Sequence, residues 1–136
     1  MNHRQKAVST VSFVLIAPIF LLVVFGLFET ARVLNAWLVI TNEATEAARY
    51  GAVHHDPSAD PVAEMATVQA YIRWRLDGVL APSGLTPAPV VQLTPDPAVD
   101  VTIAYKVPLV IPLVSNVLPN PFPVSAHAAM HVELEV

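Results

Sequence analysis

Residues 7–28, AVSTVSFVLIAPIFLLVVFGLF, contain no Asp, Glu, Lys, Arg or His. Lys6 precedes this stretch and Glu29 follows it. At about 1.5 Å per residue, a helix of this length is roughly 30 Å long, which matches the hydrocarbon core of a bilayer. A helix also satisfies its own backbone groups, as lipid requires. The stretch therefore predicts one membrane span, and a buried helix of a soluble protein is the alternative.

The charges on either side of the span predict its orientation. Arg4 and Lys6 precede it without any acidic residue, whereas Glu29 and Arg32 follow it and cancel. The excess of basic residues on the first side places the amino terminus in the cytoplasm, so that the rest of the chain is exported. The predicted organisation is listed in chain order: a cytoplasmic basic leader at 1–6, a transmembrane helix at 7–29, an extracytoplasmic amphipathic helix extension at 30–56 and an extracytoplasmic α+β head at 57–136.

The composition of the chain argues against nucleic-acid binding and limits how the fold can be held together. The net charge is −4 and the seven Lys and Arg residues are scattered, which argues against a nucleic-acid-binding surface. The chain of 136 residues has no cysteine, so an exported head must be held together by packing or by docking onto partners. Pro18 lies alone in the span, and every other proline follows residue 56, which leaves the first third free to form one continuous helix.

Residues 30–50 continue the helix and are amphipathic. They contain neither Pro nor Gly, and Val33, Trp37, Ile40, Ala44 and Ala48 fall on one side of a helical wheel. We therefore predict one helix of about 40 residues, with Glu29 paired with Arg32 at i,i+3 spacing. Trp37 is predicted to pack against the sheet, and a position in the aromatic belt at the membrane surface is the alternative. Asp60 and Pro61 predict the start of a second helix, over 61–77.

Three segments in the second half predict strands: 90–94, 99–107 and 124–136. The last two alternate between apolar and polar residues, which is typical of strands with one buried face. The fold class is therefore α+β: a long amino-terminal helix, a short second helix and a three-stranded antiparallel sheet. The apolar faces of the long helix and the sheet can cover each other.

Residues 108–123, PLVIPLVSNVLPNPFP, carry no charge and contain five prolines, which disfavour a regular strand. An apolar loop of this kind either packs over the core or is exposed as an adhesive surface. If it is exposed, it predicts a site that docks on a partner or on the membrane surface. The side chains that would form this docking site are Val110, Ile111, Leu113, Val114, Val117 and Leu118.

The order of these features resembles a family. A basic start, a span with an early proline, the helix RVLNAWLVITNEATEAARYGAV, a short second helix and a sheet ending in VSAHAAMHVELEV are similar to the TadE/TadG-like minor pilins. These are pseudopilin-like proteins of the tight-adherence (type IVc) pilus system. The likeness is strongest at 11–53 and 124–133. It implies a pilin-like fold and a role in pilus assembly.

The resemblance also implies particular positions in the span. A prepilin-type cut would fall between Ala7 and Val8, and Pro18 would kink the helix locally. The glutamate that usually follows the cut in this family is replaced by Ser12. A carboxylate in lipid is costly unless it is paired, so its presence usually marks assembly. Its absence leaves open that the chain stays uncleaved as a membrane subunit.

The sequence contains no nucleophile constellation, phosphate-binding glycine loop or cofactor motif. His54, His55 and His127 predict solvated positions and no metal site. We therefore expect a non-enzymatic protein without a cofactor, nucleic acid or small-molecule substrate. Its partners would be the cytoplasmic (inner) membrane of a prokaryote and other membrane or pilus-type subunits. An accessory subunit of an energy-transducing or photosynthetic complex is the alternative, and a soluble binding module is a further one.

Overall fold

The computed structural model describes residues 3–94, 98–116 and 118–132, without the side chains of residues 3–11 and Leu113. The helices are α1 (His3–Val53), α2 (Pro61–Leu76) and the short α3 (Pro112–Ser115), and a 3-10 turn covers Pro82–Gly84. The strands are β1 (Val90–Leu93), β2 (Ala98–Val107) and β3 (Phe122–His131). This confirms the predicted α+β fold with one long helix, a shorter helix and three strands.

Helix α1 is continuous over 51 residues and passes through Pro18. Its first half is apolar and exposed, as at Phe13, Ile19 and Phe28. Among the described residues, one helical segment, Ser12–Val53, is long and apolar enough to cross a membrane. Its second half lies against the rest of the chain. One helix therefore joins the apolar segment to the folded head without an intervening loop.

Small residues let the sheet approach α1 closely. The buried face of α1 consists mainly of alanines with one isoleucine, at helical spacing: Ala36, Ile40, Ala44, Ala47 and Ala48. Gly51 extends this face, and a Cβ atom added there would lie 2.8 Å from the Val99 side chain. The helix and the sheet cover each other in one core, as predicted.

Trp37 is less buried than predicted, because 42% of its surface is exposed. The buried face is centred on Ala36 and Ile40, whose side chains leave room for the sheet. The next residue along a helix is rotated by about 100°, so Trp37 falls beside this face.

The sheet is antiparallel in the order β1-β2-β3, with β2 in the centre. Alternate β2 residues from Val99 to Val107 are buried against the helices, which confirms the predicted alternation. The register pairs Val99 with Met130 at one end and Val107 with Phe122 at the other. Strand β3 begins before the predicted residue 124 and includes Pro123, which an edge strand tolerates. Residues 133–136 of the predicted third strand lie outside the described residues.

Helix α2 packs against α1 and contributes side chains to the same core. Asp60 caps it by accepting a hydrogen bond from the Val62 amide at 3.1 Å, and Pro61 occupies its first turn, both as predicted. Arg75 donates two hydrogen bonds to the Glu43 carboxylate on α1, at 2.8 and 3.0 Å. The residues of α2 that face the core are Val68, Ile72 and Leu76.

Candidate functional site

Glu29 is the only charged side chain that is buried among the residues the structure describes, with 3% of its surface exposed. It lies on α1 directly after the charge-free segment. A buried carboxylate must be paired and hydrogen-bonded, because burial removes its hydration. The groups that bond to the Glu29 carboxylate are therefore the candidate site.

Both oxygens of the Glu29 carboxylate are occupied. The backbone amides of Val110 and Ile111 donate to Oε1 at 2.6 and 2.9 Å. Arg32 Nη1 donates to Oε2 at 3.0 Å, which confirms the predicted i,i+3 pair. These four residues, named here the Glu29 site, join the end of the apolar segment to a loop that lies 81 positions later in the chain.

The partner of Glu29 is the segment 108–121 between β2 and β3, named here the junction loop. Pro108 and Pro112 flank its first three amides, and neither proline can donate to a strand ladder. Asn120 supplies further bonds: its Oδ1 accepts from the Leu109 amide at 3.0 Å, and its Nδ2 donates to the Leu109 carbonyl at 3.3 Å. The amides of residues 109, 110 and 111 are therefore all bonded to side chains, as buried backbone requires.

The length of β2 explains why the junction loop reaches Glu29. Gly51 of α1 packs next to Val99 near the start of β2, and Glu29 bonds the amide of Val110 just past its end. The helical path from Gly51 back to Glu29 is about 33 Å, and the extended path from Val99 to Val110 is about 36 Å. Because the two lengths match, β2 returns the chain to the point where the apolar segment ends.

The side chains of the junction loop divide between burial and exposure. Leu109 is buried, Ile111 and Val114 are half-buried, and Val110 and Leu118 are exposed, Val110 by 68%. Val117 and the side chain of Leu113 lie outside the described residues. The loop thus packs on the fold through part of its apolar surface and presents the rest outward.

The residues of the predicted cleavage region are not brought to the Glu29 site. Ala7 and Val8 lie within the helix, and their side chains are outside the described residues. Ser12 and Pro18 are exposed on the apolar half of α1. Ser12 precedes Glu29 by about 26 Å of helix, so the two positions occupy different levels of the helix.

The histidines form local contacts that the sequence did not predict. His54 stacks on Tyr50 with ring centroids 4.2 Å apart. His55 is half-buried and bonds the Glu64 carboxylate at 2.9 Å, so the expectation of a fully solvated turn is wrong for this residue. His127 bonds Asp100 across the sheet. Within the described ranges, no group of three or more His, Cys, Asp or Glu converges as a metal site would require.

Sequence reasoning missed the Glu29 site. The sequence predicts that Glu29 ends the span, with Arg32 as its partner. A signal was present in two places: an acid at the edge of lipid needs partners, and a proline-rich loop leaves amides without a ladder. Nothing in the sequence states that these two needs satisfy each other.

Comparison with known proteins finds a family match over most of α1. The model of the family described as TadE-like protein matches residues 7–49, roughly the first third of the chain. The match confirms the resemblance predicted from the sequence over this segment, and this family is structural and associated with pili. None of the curated proteins and none of the solved structures shows a significant match.

Proposed function

We propose that this TadE-like chain is a single-span structural subunit that contributes to pilus or adhesion assembly through helix–helix and head contacts. The TadE-like match and the long apolar helix fit a pilus-related protein of this kind. In this proposal residues 7–29 cross the cytoplasmic membrane of a prokaryote. Residues 1–6 are cytoplasmic, and residues 30–136 are extracytoplasmic.

The observation that carries the proposal is the continuity of α1. Its apolar half is exposed, while its second half forms a wall of the head core through Ala36 to Ala48. A force or displacement applied to the segment in the membrane therefore acts on the head without passing through a flexible linker. The Glu29 site adds a second connection at the base of the head.

A surface for contact with other subunits lies above the span. Leu34, Trp37 and Leu38 are exposed at i, i+3 and i+4 spacing, on the part of α1 that the sheet leaves uncovered. This stripe continues the exposed apolar surface of the first half of α1. Helices of neighbouring membrane subunits would pack along it.

The absence of an acid at Ser12 favours a second candidate function, an accessory subunit of a larger energy-transducing or photosynthetic membrane complex. In that case the chain would remain uncleaved and would be held by its span and head. Affinity purification in mild detergent separates the two candidates. Stoichiometric pilus-system proteins support the first, and stoichiometric redox or pigment-binding subunits support the second.

Topology and processing are tested on the full chain, which has no native cysteine. Single cysteines are introduced as Asn2→Cys and Val53→Cys, and intact cells whose outer layers are permeabilised are treated with a membrane-impermeant maleimide. We expect labelling at position 53, and none at position 2 in chains that mass spectrometry shows to retain residues 1–6. Mass spectrometry of the amino terminus then reports cleavage: a chain that begins at Val8 supports processing, whereas an intact Met1–Lys6 segment removes it from the proposal.

A further inference from the structure

The Glu29 site determines the level at which the junction loop lies relative to the apolar segment. The Val110 amide is 2.6 Å from the carboxylate of Glu29, the first charged residue after 7–28. Phe28, the preceding residue, is 66% exposed and Val110 is 68% exposed. Apolar surface on the loop and apolar surface at the end of the helix are therefore held at the same level.

The charges near this level leave one exposed cation. Residues 108–123 carry none, and Arg32 and Lys106 are the cations closest to the loop along α1 and β2. Among the described residues near this level, the carboxylate is that of Glu29, which is bonded to two amides and to Arg32, so the charges of Glu29 and Arg32 cancel. Lys106 is exposed. A basic residue next to a span attracts anionic headgroups.

We propose that the junction loop is a second membrane-contacting element, which inserts Val110 and its apolar neighbours into the boundary between headgroups and acyl chains of an anionic bilayer. This rests on the proposal that α1 spans the membrane. An exposed apolar side chain held at the end of a span, with a cation nearby, is typical of segments that lie in a bilayer interface. The loop fixes the base of the head against the membrane, so the head does not tilt freely about the end of the span.

Fluorophore-labelled cysteine variants, reconstituted at one chain per nanodisc, test the proposal. The chain lacks cysteine, so Val110→Cys can be labelled with an environment-sensitive fluorophore without other changes. The nanodiscs contain phosphatidylcholine and phosphatidylglycerol with a fraction of spin-labelled lipid as quencher. Val53→Cys is the matched control, because Val53 is an exposed valine, at 73%, about 36 Å along α1 from Glu29. Phe28→Cys reports the end of the span.

We expect the label at position 110 to emit at short wavelength and to be quenched nearly as strongly as the label at position 28, whereas the label at position 53 stays aqueous. If position 28 is in lipid and position 110 resembles position 53, the loop proposal is overturned while the span proposal stands. If position 28 is also aqueous, both are overturned. A label at position 110 that becomes shielded only when a second protein is added means that a protein, and not the bilayer, covers the loop, which also overturns the proposal.

Discussion

The replacement Glu29→Ala removes the acceptor of two backbone amides at the base of the head. Hydrogen bonds to a charged group contribute about 1.5–3 kcal/mol each, and a buried donor left without a partner costs about 1–3 kcal/mol. Glu29 is 3% exposed, but Val110 beside it is largely exposed, so water can replace part of the lost bonding. We therefore expect the loop to lose about 2–3 kcal/mol of local stability.

Hydrogen exchange of the Val110 and Ile111 amides measures this loss directly. A loss of about 2–3 kcal/mol corresponds to exchange that is roughly 30- to 150-fold faster. Ile103 in the centre of β2 serves as the reference, because its exchange reports opening of the whole sheet. We expect the two loop amides to accelerate far more than Ile103. The variant Glu29→Gln keeps one acceptor oxygen without its charge, so its exchange rates at these two amides should fall between those of the wild type and Glu29→Ala.

Glu43→Ala is the matched control for this experiment. Glu43 is also a partly buried carboxylate of α1, but it is bonded to the side chain of Arg75 and not to backbone amides. Its removal should leave exchange at Val110 and Ile111 unchanged. Unaltered protection of these two amides in Glu29→Ala would show that the carboxylate does not hold the loop.

Three further predictions concern close packing and pH. Gly84→Ala should destabilise the full chain in detergent by about 3 kcal/mol or more in thermal unfolding, because the added Cβ overlaps the Tyr105 ring and lies 2.9 Å from the Lys106 carbonyl; a melting curve equal to wild type would contradict this packing. Gly51→Ala gains about 1 kcal/mol of helix propensity but forces apart contacts at 2.8 and 3.2 Å, so a smaller net loss than for Gly84→Ala is expected in the same assay, and a net gain would refute it. Hydrogen bonds from the Ser58 hydroxyl and amide lower the pKa of Asp56, so this contribution to stability is present above the unfolded pKa of about 3.9 and is lost as the pH falls through the lower folded value; in Ser58→Ala the pKa of Asp56, followed by NMR titration, should rise, and an unchanged pKa would exclude this cause.

Local chemistry determined much of the fold, and this part was predictable. The charge-free stretch 7–28 and the absence of Pro and Gly from 30–50 predict one long helix, because Pro18 and Gly26 are the only residues of these two stretches that strongly disfavour helical backbone. Asp60 and Pro61 determine the start of α2 through the cap and the first turn. Alternation in β2 determines which face of the sheet is buried.

The packing of Trp37 and of the junction loop depended on the tertiary structure. A helical wheel groups residues by angle, but it does not show that alanines admit the sheet while the larger Trp37 lies beside it. The bond between Glu29 and Val110 joins residues 81 positions apart, and it forms only because β2 is as long as the helical segment beside it. The order of the residues alone thus determined that the chain has a segment suited to lipid. The three-dimensional arrangement decided that the apolar junction loop returns to the end of this segment, because hydrogen bonding between distant residues depends on where the strands place them.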